Sequence, residues 1–227
     1  MPELPIAEQV AGTLQLQPQV PDTSVVHDYV LQNNLSDIDF LTERARRIRY
    51  EVVVDDRTLI FRPVSNQLAE TLSVEYMRDL KGFNVRQSTA RQVSDVTVRG
   101  WNPATKEAIL GVARVGAETT KMKGSQSGPQ IAETAFGAFS DATVDIPIAS
   151  QAEADQIAEA RFNALALELT TGEGEIIGEP TLRAGHTVEL RGLGTRFSGL
   201  YYVTKTEHRV APDVGYVTRF DVRRNAS

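Results

Sequence analysis

Apolar and polar residues alternate along this chain in two periods, and the changes from one to the other mark its elements. Ile6, Val10 and Leu14 share one face of a predicted helix over residues 4–16, which Gly12 weakens. Pro18 and Pro21 enforce an extended linker, and the β-formers between Val25 and Gln32 predict a strand or extended arm. Ser36 then stands at an N-cap position, with Asp37 and Asp39 at the positive end of the following helix dipole. Ile38, Leu41, Ala45 and Ile48 form that helix's apolar stripe, while Glu43, Arg44, Arg46 and Arg47 fall largely off it. After Tyr50 the period drops to two. Val52 and Val54 lead into an Asp55-Asp56-Arg57 turn, and Leu59 and Phe61 return along a second strand as far as Pro63.

Further strands are predicted at 72–76, 82–86, 95–101 and 108–115, spaced for antiparallel pairing. Asn102-Pro103 supplies turn chemistry between the last two. From Gly116 to Asp145 the pattern dissolves, predicting a long loop. Ser150 and Glu153 form a capping box that opens a helix with Ala154, Ala158, Phe162 and Leu165 on one face. The alternation of Leu165, Leu167 and Leu169 places the end of this helix between Asn163 and Leu169. Strands follow at 175–178, 186–192, 198–208 and 215–224, the last with Thr218, Phe220 and Val222 on one side and Arg219, Asp221 and Arg223 on the other. Frequent short strands with glycine turns predict an α+β, mainly β fold: an antiparallel β-barrel or roll with a packed helix–hairpin subdomain. The expected division is an N-terminal helix and arm (1–35), the helix and hairpin (36–70), and a barrel (71–227) holding the loop at 116–149 and an inserted helix at 150–165.

Composition narrows the function more than the fold. With 227 residues, 41% hydrophobic and 24% charged, the chain is long enough to bury a core. No apolar run reaches the roughly 18 residues of a membrane span, and M-P-E-L-P lacks the basic start and apolar core of a signal peptide. The absence of cysteine excludes disulfides, thiol nucleophiles and thiolate metal sites. A formal net charge of -6 argues against general phosphate or nucleic-acid binding.

Chemistry-bearing patterns are sparse. His27, His186 and His208 have no partner at metal-ligand spacing, and Asp55-Asp56 reads as turn chemistry. Gly172-Glu173-Gly174 and Gly192-Leu193-Gly194 have strands on both sides, whereas a phosphate loop opens a helix. Ser198, His208 and Asp213 lack a nucleophile elbow. No catalytic, cofactor-binding or metal-binding residue is therefore expected. Arg44, Arg46, Arg47 and Arg49 admit two readings: compensation of a helix C-terminus, or a carboxylate-binding patch at a subunit boundary. Phe136 and Phe139 are out of place in a mere spacer, and again two readings stand: a loop ordered against a neighbour, or a mobile insertion whose rings tuck back onto its own domain.

Three blocks carry a resemblance. They are S-D-I-D-F-L-T-E-R-A-R-R-I-R-Y-E-V-V-V-D-D-R-T-L-I-F-R-P from Ser36, D-V-T-V-R-G-W-N-P-A-T-K-E-A-I at 95–109, and the stretch from Gly178 to His208 with G-Y-V-T-R-F at 215–220. Together, in this order, they resemble the phage late control gene D family, tail hub proteins that also form the first part of VgrG spikes. The resemblance implies a structural baseplate hub of a contractile injection machine, in which three copies form a pseudo-sixfold ring joining tail tube to spike. Its implied partners are further copies in a homotrimer, the tail tube protein, the spike protein and other baseplate subunits, with no specific nucleic acid, cofactor or membrane span. The implied location is the cytoplasm during assembly and then the particle's baseplate. Family hubs begin with a further β-barrel that this sequence starts after, so a fragment is expected, and the family often has glycine where Arg49 stands. On this reading strands 72–115 and 165–224 build one barrel, and Arg44, Arg47, Phe136 and Phe139 are the interface candidates. The competing reading is a ligand-binding or hydrolytic barrel, marked by a compact pocket of converging titratable groups.

Overall fold

A computed structural model describes the chain except residues 1, 2, 22–28, 65, 67–71, 103, 104, 149 and 214. In order, its elements are α1 (Glu3–Thr13), β1 (Gln17–Gln19), α2 (Asp37–Arg47), β2 (Tyr50–Asp55), β3 (Thr58–Pro63), β4 (Leu72–Glu75), β5 (Leu80–Gln87), β6 (Asp95–Asn102), β7 (Glu107–Arg114), α3 (Gly128–Phe136), β8 (Ser140–Thr143), α4 (Gln151–Ala166), β9 (Thr170–Ile177), β10 (Thr187–Arg191), α5 (Gly194–Phe197), β11 (Gly199–Ala211) and β12 (Gly215–Arg224). The fold is mainly β, as the period-two pattern predicts. Two compact units interleave along the chain: Met1–Val64 with Asp95–Arg114 and Ser140–Phe162, and Ser65–Ser94 with Val115–Phe139 and Asn163–Ser227. No helix among the described residues is long and apolar enough to cross a membrane.

In the first unit, α1 and α2 share a core with the β2–β3 hairpin. Ser36 Oγ accepts from Asp39 N at 3.2 Å, so the predicted cap forms. The buried stripe of α2 is Phe40, Leu41, Arg44 and Ala45, which corrects the expected one: Ile38 is 36% exposed and Arg44 only 8%. The 3.6-residue period leaves the stripe free to rotate by a residue, and the large Phe40 ring settles it. Arg49 closes the helix with φ 59, a left-handed conformation that glycine adopts without strain. Asp56 turns the hairpin with φ 50, and Leu59 and Phe61 are fully buried as expected. The expected linker at Pro18 instead contributes β1, parallel to β3, where proline is tolerated because the strand lies at an edge. Of the predicted 25–32 arm, Tyr29–Gln32 form no strand; the rest, with His27, lies outside the described residues.

The same unit holds a three-stranded sheet in the order β7-β6-β8, with β8 parallel to β6. Asn102 turns the β6–β7 connection with its side chain, its Oδ1 accepting from Thr105 N at 3.3 Å; Pro103 and Ala104 are outside the described residues. At the predicted Ser150 cap, Oγ accepts from Glu153 N at 3.2 Å, and α4 buries Ala154, Ala158 and Phe162. Contact with β7 is close: a Cβ at Gly111 would lie 2.3 Å from the Ala154 carbonyl. Arg161 Nε pairs with Asp141 Oδ2 of β8 at 2.7 Å.

The second unit is built on a six-stranded sheet, β4-β10-β11-β12-β9-β5, curled into a half-barrel. Val74, Leu80, Ile176, Tyr201, Phe220 and Val222 lie in its core. Phe83 and Phe220 cover Gly172 and Gly174 of β9, whose missing side chains leave room for the rings. The expectation of one barrel from strands 72–115 and 165–224 is corrected here, because β6 and β7 sit in the separate three-stranded sheet. Period two identifies strands but not their partners. β8, which the pattern missed, fills the second edge of β6, while β5 pairs with β9. Pairing is also less uniformly antiparallel than expected, since β4 runs parallel to β10.

Candidate interaction surface

The predicted structureless loop is the chief departure from expectation, and its residues 116–139 belong to the second unit. Ser127-Gly128-Pro129-Gln130 starts α3 with a full capping box: Ser127 Oγ accepts from Gln130 N at 3.4 Å, and Gln130 Oε1 accepts from Ser127 N at 3.1 Å. Pro129 occupies the first turn, where a missing N–H costs nothing. Ser127 Oγ also donates to the Glu118 carboxylate.

Hydrogen bonds fasten this segment at intervals to its own unit. Asn163 Nδ2 donates to Ala117 O at 3.0 Å and its Oδ1 accepts from Thr119 N at 3.0 Å. Asn225 Nδ2 donates to Thr120 O at 2.5 Å, Ser125 N donates to Ser227 O at 2.9 Å, and Gly128 N donates to Asn225 O at 2.8 Å. At the far end, Ser94 N donates to Phe139 O at 2.7 Å and Phe139 N to Ser94 Oγ at 3.2 Å. Asn163 and Asn225 are each 1% exposed, so these bonds are shielded from water.

Held this way, the segment displays Phe136 and Phe139 outward, 79% and 68% exposed. The segment orders on its own unit and its rings do not tuck back onto it, which corrects the second of the two sequence readings. Phe136 also lines an open groove with Gln87, Thr89, Ser125, Ile131 and Arg196. Arg196 is held there by Nε donating to Gln87 Oε1 at 2.6 Å. An exposed phenylalanine, Phe136, in one groove with a fixed guanidinium has the composition of a protein-binding surface. Ile131 and Arg196 escaped the sequence reading. The S-x-x-Q box with proline was a legible signal for α3, obscured by small residues without apolar periodicity.

The other candidates are placed as follows. Arg47 Nη2 lies 3.5 Å from Glu43 Oε1, a surface pair one helical turn apart, whereas Arg44 is buried in the α2 stripe and so departs from its expected outward position. His208 Nδ1 lies 3.0 Å from Tyr216 Oη and 3.1 Å from Thr218 Oγ1. Ser198 precedes β11 and His208 lies near its other end, about 30 Å away at the rise of a strand, so the paper triad does not assemble. No group of three or more His, Asp or Glu positioned to hold a metal occurs among the described residues.

The model of the Alg8 N-terminal domain family matches residues 3–212. Among curated proteins no relative is found. Solved structures share the fold at low identity. A tail protein from Neisseria meningitidis MC58 is 11% identical with a TM-score of 0.67, covering 99% of this chain and 67% of its own. The 43 kDa tail protein of prophage MuSo2 from Shewanella oneidensis is 12% identical with a TM-score of 0.70, over 99% and 65%. Prophage tail protein gp18 from Listeria monocytogenes EGD-e is 11% identical with a TM-score of 0.55, over 100% and 66%. The chain therefore spans about two thirds of the length of these tail proteins.

Proposed function

Since the chain belongs to the family of Alg8 N-terminal domains and has the fold of phage tail proteins, we propose that it is a structural baseplate protein of a contractile injection machine. In this reading it is the hub, of the late control gene D and VgrG type. Three copies form a ring that joins the tail tube to the central spike and contacts other baseplate subunits. The ring assembles in the cytoplasm and ends in the baseplate of the particle. Its work is done by surfaces rather than by catalysis.

The observation that carries the reading is the presentation of Phe136 and Phe139 on a segment fastened to its own unit. An aromatic pair exposed this far on a stiff support costs the monomer solubility and is repaid where a neighbouring subunit covers it. Arg196 beside it supplies a planar donor for a partner carboxylate.

Light scattering tests this on the chain alone and on mixtures with tail tube and spike proteins. A threefold mass, alone or on addition of either protein, supports the hub. A single-copy mass over a wide concentration range, with no binding to tube or spike, overturns it.

A further inference from the structure

Residues 225–227 leave the end of β12 and lie against the segment that carries Phe136. Ala226 stands opposite Ser127 in an antiparallel bridge. Around it, Ser125 N donates to Ser227 O at 2.9 Å, Ser227 N donates to Gln126 O at 3.0 Å, and Gly128 N donates to Asn225 O at 2.8 Å. Asn225 Nδ2 reaches further back, to Thr120 O at 2.5 Å. The contact is close as well as bonded, since a Cβ at Gly124 would lie 2.5 Å from Ala226 Cβ. Asn225 and Ala226 are each 1% exposed.

These bonds fall where α3 begins. Gly128 is its first residue, and an amide at that position has no acceptor within the helix, so Asn225 O supplies one. Ser127, opposite Ala226, is the capping residue and is fully buried. Phe136 is the last residue of the same helix, and Ser227 lines the groove that Phe136 and Arg196 share. Three residues thus close the helix at its start and form part of the groove wall.

Other contacts hold the middle of the segment less firmly. The Lys123–Glu189 pair, at 3.3 Å, joins a half-exposed lysine, and such pairs contribute little. The bonds of Asn163 to Ala117 and Thr119, and of Ser94 to Phe139, lie outside α3 at the two ends. Gly128 also rests closely on Gln92 and Leu169, a seat that needs its backbone held where the Asn225 bond holds it. A helix of 9 residues does not persist in water without such tertiary support.

We propose that residues 225–227 are a strap that switches the Phe136 surface. Seated, they order residues 120–136 and complete the groove. Released, they leave α3 without its support, and the surface is lost while the six-stranded sheet stays folded. Strap and surface are linked: a subunit bound at the groove holds the strap down, and whatever draws residues 225–227 away releases that subunit. The proposal deepens the hub reading, from which it takes only the role of the surface.

Amide exchange on the whole chain, resolved by NMR, tests the strap without any partner. In the wild type the amides of Ser125, Gly128 and Ser227 are expected to share one level of protection, below that of β9 and β11, because one opening frees all three. Ala226→Leu and Gly124→Ala add carbon to the same close contact from its two sides. Both should speed exchange over Ala132–Phe136 about tenfold or more while β9 and β11 keep their protection. Unchanged protection of Ala132–Phe136 in either variant overturns the strap. Protection lost in β9 and β11 along with α3 overturns it too, since residues 225–227 then belong to the core of the sheet. The ring is decided separately by light scattering, where a single-copy mass overturns the hub and leaves the strap intact.

Discussion

The guanidinium of Arg224 lies over the ring of Tyr201, 5.6 Å from its centroid, with both residues buried. Arg224 Nη1 also donates to Ser198 O at 3.1 Å, and Tyr201 Oη donates to Phe197 O at 2.8 Å. The pair thus ties the end of β12 to the start of β11. A desolvated cation–π contact of about 2 kcal/mol and a charged hydrogen bond of about 1.5 kcal/mol set the scale. Arg224→Ala is expected to lower the unfolding free energy by about 3 kcal/mol in urea titration. Arg224→Lys recovers little of it, because an ammonium lacks the planar fork.

Burial pushes the Tyr201 phenol up, an effect that Arg224 beside it partly offsets. The folded chain therefore holds this proton at a pH where the unfolded chain releases it. The stability involved is fully present below about pH 10, the unfolded value, and is lost as pH rises through the folded one. Thermal unfolding from pH 8 to 11 should show a falling midpoint above about pH 10. Tyr201→Phe should flatten that fall while costing about 1 kcal/mol at neutral pH for the lost hydrogen bond.

Gly111 allows α4 to approach β7. An added Cβ would come within 2.3 Å of the Ala154 carbonyl, which is backbone and cannot rotate away. Gly111→Ala should destabilise by about 2 kcal/mol or more, as overpacking does. Gly12→Ala, where nothing lies within 4 Å, should be stabilising by about 0.5 kcal/mol, and urea midpoints compare the two directly.

Ser127 serves both the cap of α3 and the Glu118 carboxylate. Ser127→Ala should cost about 1 to 2 kcal/mol and loosen residues 128–136 first, giving faster amide exchange there than in β11 or β12. Phe136→Ser and Phe139→Ser should change stability by no more than about 0.5 kcal/mol. Their effect belongs in the binding assay with tube and spike proteins, where loss of affinity at unchanged stability is expected.

Much of the fold is legible in local pattern. The Ser36 and Ser150 caps, the Asp56 turn and the buried Leu59 and Phe61 follow from residues within one turn of helix or strand of each other. Most strands also fall where period two places them, because alternation records which face is wet. The candidate surface is less legible. Phe136 and Phe139 stand out by type, but whether a phenylalanine is buried depends on what packs around it, and nothing near them in sequence says so.

The sequence by itself determined the elements, the mainly β class and the absence of cysteine chemistry, since these depend on side-chain identity and short spacing. Tertiary structure decided the rest. Arg44 rather than Ile38 joins the buried stripe because the helix rotates to seat Phe40. β6 and β7 leave the half-barrel because β8, some forty residues on, takes the second edge of β6. Residues 116–139 become ordered because Asn163, Asn225 and Ser227, far along the chain, complete their backbone hydrogen bonds. Each of these outcomes is a competition between distant partners for one edge, face or donor, and such a competition leaves no local trace.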